Sequence, residues 1–186
     1  MNFDELMKSG ANGKDLVVPS SWGQGRASFG GVVAALVFDR MASVVAPGRP
    51  MRSMQVSFVG PVTPDEPATV EAEILREGKA VSQALGRIVQ GGEPKLVALA
   101  SFGSDRESDV SVDAAPAPEA KPVEQCHGLD FIEGVTPEFI QHIEMRWAFG
   151  NLPFSGKGGR ELGGWMQLRQ TPETFSDAHI VALVDA

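Results

Sequence analysis

The sequence predicts an α+β protein in which antiparallel strands wrap apolar helices, laid out as two successive units of one plan. Three observations carry this. From Val32 to Ala46 only Asp39, Arg40 and Ser43 are polar, so this segment reads as a helix apolar nearly all round and therefore buried. Four segments after it alternate apolar and polar residues with period two, separated by turn residues, as in an antiparallel meander. An acidic stretch then intervenes, and a strand, strand, helix pattern begins again.

In chain order, the first 20 residues are polar and lead to "LVVPSSW", a short edge strand with Pro19 inside it. Ser28 is placed to cap a helix beginning near Phe29 or Gly30, and "PGRP" at 47–50 stops that helix. In "MRSMQVSFVG" Met54, Val56 and Phe58 alternate with Gln55 and Ser57. In "ATVEAEILREG" Val70, Ala72 and Ile74 alternate with Glu71 and Glu73. "KAVSQALGRIVQ" follows the "REGK" turn and "KLVALASFGS" closes the set; the connections are too short for parallel crossovers. Residues 105–124 carry six acidic and two basic side chains with three prolines, an exposed linker. In "FIQHIEMRWAFG" Ile143, Met145, Trp147 and Phe149 share one face, with His142, Glu144 and Arg146 on the other. "RELGGWMQLRQ" is a second strand, and "SDAHIVALVDA" opens a helix capped by Ser176 or Asp177. Residues 1–104 are thus expected as a first unit, 105–125 as the linker and 126–186 as the start of a second. If the second copies the first, three or four further strands belong after it, roughly 40–70 residues.

Composition narrows the function. Among 186 residues, a net charge of −8 argues against nucleic acid or an anionic membrane as main partner, since both want a basic face. The single cysteine, Cys126, fits a reducing compartment. "MNFDELMKSGANGKDL" lacks the pattern of a secretory signal, and no apolar run approaches the ~20 residues of a membrane span, so a cytoplasmic protein is expected. The glycine run "WGQGRASFGG" suggests a phosphate loop, but Ser28 holds the third glycine position and antiparallel strands follow. It contains neither Gly-Lys-Ser/Thr nor Gly-x-Ser-x-Gly.

Taken in order, "SFGGVVAALVFDRM", "RSMQVSFVGPVTPDEPATVEAEILREGKAVSQALGRIVQGGEPKLVALASF" and "IEMRWAFGNLPF…GGWMQLRQ…DAHIVALVDA" resemble the double-hotdog acyl-CoA thioesterase II family. That resemblance implies a tandem hotdog fold, with joined sheets and helices facing one another, and further homo-oligomerisation. It implies hydrolysis of an acyl-CoA to free acid and coenzyme A by an Asp-activated water, with no metal or redox cofactor. The family's acid lies on the second helix, at the position matched by Asp185, and its threonine and glutamine partners lie on later strands. A different class of reading is a catalytically silent hotdog that binds acyl-CoA or serves in assembly. A hotdog dehydratase or hydratase is a third, disfavoured reading.

The candidate residues each carry two readings. Asp185 is either the group that deprotonates water or a solvated residue near a helix end. Gly30 and Gly31 either let a thioester approach the backbone amides or let the helix press on its sheet. Asp39 beside Arg40 reads as an exposed or paired charge. His142 with Glu144 reads as a solvated sheet face rather than a metal site, and Cys126, His127 and His179 read as surface residues. Trp22 reads as a packing anchor. Arg49 and Arg52 are either loop cations or a local attraction for coenzyme A phosphates.

Overall fold

The computed structural model describes residues 1–151 and 155–186; residues 152–154, within the quoted "NLPF", lie outside the described residues. The chain opens with a helix, α1 (Phe3–Gly10), where only a polar lead-in is expected. A reciprocal cap starts it: the Glu5 N–H donates to Asn2 Oδ1 at 2.9 Å and the Asn2 N–H donates to Glu5 Oε2 at 2.8 Å. Phe3, Leu6 and Gly10 form its buried stripe. The edge strand β1 is only Leu16–Val17 and ends before Pro19, which leads into a 3-10 turn at Ser20–Trp22. A two-rung hairpin follows, β2 (Gly23–Gln24) and β3 (Ala27–Ser28), turning at Gly25 with φ 65°.

Helix α2 (Gly30–Val44) begins where expected, but Ser28 does not cap it. Phe29 occupies the cap position and offers no side-chain acceptor. The next four strands are β4 (Met51–Phe58), β5 (Pro67–Glu77), β6 (Val81–Gln90) and β7 (Glu93–Gly103). All pair antiparallel in the order β1-β5-β6-β7-β4. Only β5, β6 and β7 form a meander. The connection after Phe58 crosses the sheet end, so β4 pairs with β7 instead of β5 and closes the far edge of the sheet. Val70, Ala84, Ile88, Leu96, Ala98, Ala100 and Phe102 make the buried face on which α2 lies. Gly86 seats the helix: a Cβ there would fall 2.6 Å from Val37 Cγ1 and 2.8 Å from Met41 Cγ.

An exposed stretch without regular structure follows β7. The second region contains β8 (His127–Gly128), β9 (Ile143–Gly150) and β10 (Leu162–Leu168) in the order β10-β9-β8, then α3 (Asp177–Leu183). The alternation expected in β9 breaks partway. Phe149 pairs with Gly163 and Trp147 with Gly164, so Ala148 is an unmatched bulge residue and is buried. Ile143 and Met145 remain inward, while Trp147 and Phe149 become half-buried.

A single core joins the two regions. Phe29 and Phe139 stack at 4.1 Å, Trp22 and His142 stack at 4.1 Å and 10°, and α3 packs along α2. Trp22 is fully buried, the packing anchor expected. No helix among the described residues is long and apolar enough to cross a membrane.

Candidate active site

The N-terminus of α2 faces the end of α3. An α-helix leaves its first amides without intrahelical acceptors, and here the first helical bond to form is from the Val33 N–H to the Phe29 carbonyl. The amides of Gly30, Gly31 and Val32 therefore carry the positive end of the helix dipole. Asp185 lies two residues past the end of α3 and brings its carboxylate to this point. Its residue is exposed and lies beyond the helix end. Packing on one side still desolvates the carboxyl. That burial raises its pKa above the ordinary carboxylate value, opposed by a hydrogen bond from the Gly31 N–H.

The two glycines have separable jobs. A Cβ at Gly31 would overlap the Ala182 carbonyl oxygen and lie 2.6 Å from Phe29 Cε1. Gly31 thus permits contact between helices, not between helix and sheet. A Cβ at Gly30 would lie 2.5 Å from Asp185 Oδ2 and 3.0 Å from Phe58 Cζ. Gly30 therefore leaves the space in which the carboxylate meets the helix end. These atoms open onto a cleft of about 430 Å³ whose lining includes Ser28, Gly30, Val33, Phe58, Val62 and Asp185. Its apolar wall with one acid and a helix N-terminus is what a thioester carbonyl and its acyl chain require.

A larger cleft, about 510 Å³, lies between α1 and the segment before α3. Its walls are largely polar and include Asp4, Glu5, Asp39 and Glu173, which suits neither an acyl chain nor a phosphate. It also exposes a Ser, His, Asp constellation: His179 Nδ1 meets Ser176 Oγ at 2.8 Å, and Nε2 meets Asp4 Oδ1 at 3.0 Å. The Ser176 backbone N–H also donates to Nδ1 at 3.0 Å. That bond makes Nδ1 an acceptor and leaves the ring proton on Nε2, donating to Asp4. The lone pair a general base would use is already engaged by the backbone, so the group is a helix cap that ties α1 to α3. His179 is consequently buried, not the surface residue expected.

Other candidates are also relocated. Arg49 donates to Ser82 Oγ at 2.7 Å and to the Gly78 carbonyl at 3.0 Å, and Arg52 donates to the Gly103 carbonyl and to Asp105. Both hold the sheet end and neither lines the cleft. Arg26, with no motif to single it out, sits on the β2–β3 turn between the cleft residues Gln24 and Ala27. Asp39 is half-buried, its pKa raised by desolvation, and makes no ion pair with Arg40. His142 does not share a face with Glu144: it precedes β9, stacks on Trp22 and contacts Ser21 Oγ at 3.0 Å. Burial, with a smaller contribution from the chain's amino-terminal charge, pushes its pKa down to about 4. Glu144 is held by Arg146 and Gln167. Cys126 is buried with its thiol 3.2 Å from the Pro122 carbonyl, while His127 is exposed. Among the described residues no three His, Cys, Asp or Glu side chains converge as a metal site.

Comparison with known proteins gives this geometry a context. Residues 18–103 match the model of the acyl-CoA thioesterase N-terminal domain. A conserved protein of unknown function with a hot dog fold from Alicyclobacillus acidocaldarius superposes with a TM-score of 0.82 at 23% identity. That match covers 98% of this chain and 68% of the other. An acyl-CoA thioesterase II, TesB2, from Mycobacterium marinum gives 0.69 at 22% identity, covering 98% and 66%. A tesB protein from Mycobacterium avium subs paratuberculosis gives 0.54 at 17% identity, covering 82% and 64%. The chain thus spans about two thirds of the length of these structures, and its fold is the hotdog fold. No curated protein matches the sequence.

Proposed function

We propose, from the match of residues 18–103 to the model of the acyl-CoA thioesterase N-terminal domain, that the cleft between α2 and Asp185 hydrolyses an acyl-CoA thioester. The observation that carries this is the convergence of one partly desolvated carboxylate with the amides of a helix N-terminus at an apolar cleft. Asp185 takes a proton from water as the water oxygen bonds to the thioester carbonyl carbon. The carbonyl oxygen becomes an oxyanion, met by amides of the first turn of α2; each such donor is worth about 3 kcal/mol of barrier. The tetrahedral intermediate collapses, the carbon–sulfur bond breaks, and the departing thiolate receives the proton from Asp185. The products are the free acid and coenzyme A. A pKa raised by burial makes Asp185 a stronger base than a solvated carboxylate.

The facing of α2 and α3 across Gly31 supports a tandem reading, with 1–104 as one hotdog, 126–186 as the start of a second, and 105–125 joining them. In that arrangement the acid comes from the second unit and the amides from the first, so the site lies on the seam. Arg26, at the cleft rim, is the cation placed to meet a coenzyme A phosphate.

The test is thiol release from acyl-CoAs of graded chain length, alongside binding of an uncleavable alkyl-CoA thioether. Steady turnover is the expected result. Thioether binding without turnover transfers the assignment to a silent acyl-CoA binder, and neither binding nor turnover removes both.

A further inference from the structure

The Ser28 hydroxyl is buried and unpaired among the described residues. Ser28 stands one residue before the cap position of α2, where serine usually bonds a first-turn amide, but it makes no such bond. The residue is 6% exposed, and its Oγ is buried with no hydrogen-bond partner among the described residues. Its backbone is fixed, since the Ser28 N–H donates to the Val62 carbonyl at 2.8 Å and Ser28 pairs with Gly23 across the hairpin. Ser28 and Val62 both line the cleft that holds Gly30 and Asp185. Buried polar groups are nearly always satisfied, and one left unpaired beside a cleft is a cost that a ligand can relieve.

We propose that Ser28 is the side-chain donor for the substrate carbonyl: on binding, its hydroxyl turns about χ1 and donates to the thioester oxygen beside the α2 amides. The inference rests on the acyl-CoA reading of the cleft and adds a specific claim to it. Backbone amides and Asp185 would serve any small carbonyl compound drawn into the cleft. A hydroxyl held just outside the helix end supplies a second direction of donation, suited to an oxygen that becomes tetrahedral as charge develops on it. No group is transferred to or from Ser28; its proton stays on Oγ throughout.

Two ligands separate this role from a structural one. 2-Oxooctyl-CoA keeps a carbonyl one carbon away from the sulfur, whereas octyl-CoA has none; neither can be hydrolysed. With the full chain, Ser28→Ala is expected to weaken 2-oxooctyl-CoA about tenfold, the size of one lost hydrogen bond. Octyl-CoA affinity should stay unchanged. Ser28→Cys, nearly the same shape with a weak donor, should behave as Ser28→Ala does. Because the hydroxyl has no hydrogen-bond partner among the described residues, the melting temperature of Ser28→Ala should hold or rise. Equal effects on both ligands, no effect on either, or a melting temperature lowered by several degrees would overturn the proposal. If wild type binds both ligands yet never cleaves an acyl-CoA, the hydrolase reading fails while the carbonyl difference still judges Ser28. If wild type binds neither, both claims fall.

Discussion

Helices α2 and α3 sit in their surroundings very differently, and the contrast explains where the cleft lies. Helix α2 runs 15 residues, is buried along most of its length, and rests on a five-stranded sheet completed by its own half of the chain. Helix α3 runs 7 residues beside a three-stranded sheet and exposes Ile180. Much of what holds the second region comes from the first. His179 is tied to Asp4, Phe139 stacks on Phe29, His142 stacks on Trp22, and Ala182 rests on Gly31. The first region completes its own sheet around α2, and the second packs against it within the one shared core. The proposed site lies on the seam, where the Asp185 carboxylate of one region accepts from the Gly31 N–H of the other.

If that asymmetry is right, the strongest perturbation is Trp22→Ala. It removes a fully buried indole that supports both α1 and His142, at about 3–5 kcal/mol by analogy with other buried aromatic truncations. Hydrogen exchange should show β9 losing protection along with β6. Protection lost from β6 alone would mean that the second region stands by itself. Next comes Gly31→Ala, whose Cβ overlaps the Ala182 carbonyl, with an expected cost of about 1–3 kcal/mol. Here the exchange pattern should be selective, with α3 freed and β5 to β7 still protected. A uniform loss would contradict this packing.

A smaller effect follows from His142. Its pKa is lower in the folded protein, about 4, than in the unfolded chain, near 6.5. The neutral ring therefore contributes its full stability above pH 6.5, and this is lost as pH falls from there toward 4. His142→Phe keeps a ring against Trp22 and should flatten the slope of urea midpoint against pH in that window; an unchanged slope would place the titration elsewhere. The smallest change is in the linker, where replacing Pro116 and Pro118 by Ala should shift unfolding by less than about 0.5 kcal/mol. A larger shift would mean that the linker is part of the core.

What could be read from the residues follows the same asymmetry. Helix α2 and strands β4 to β7 declare themselves because each buries one face against its neighbours, and periodicity records that burial directly. The side of the sheet on which β4 lands is not recorded, since pairing with β5 or with β7 asks the same alternation of it. Helix α1 is legible in its own residues: Asn2 and Glu5 have the spacing of a reciprocal cap, and Phe3, Leu6 and Gly10 share a face. The burial of His179 was not legible, because its partner Asp4 lies 175 positions away and only the fold brings them together. Ala148 escaped notice because a bulge is a two-strand property and leaves β9 with an apparently regular alternation. Asp185, Gly30 and Gly31 stand out in the sequence, but not that Gly31 makes room for Ala182 and Gly30 for Asp185.

The decisive measurement is acyl-CoA turnover and melting temperature measured together for wild type and Asp185→Asn. Burial raises the Asp185 pKa, so its contribution to stability is fullest below the unfolded value and is lost as pH rises through the folded one. At neutral pH the uncharged amide escapes that cost. The account predicts that kcat falls at least ~100-fold while the melting temperature holds or rises. Undiminished turnover in Asp185→Asn would contradict it.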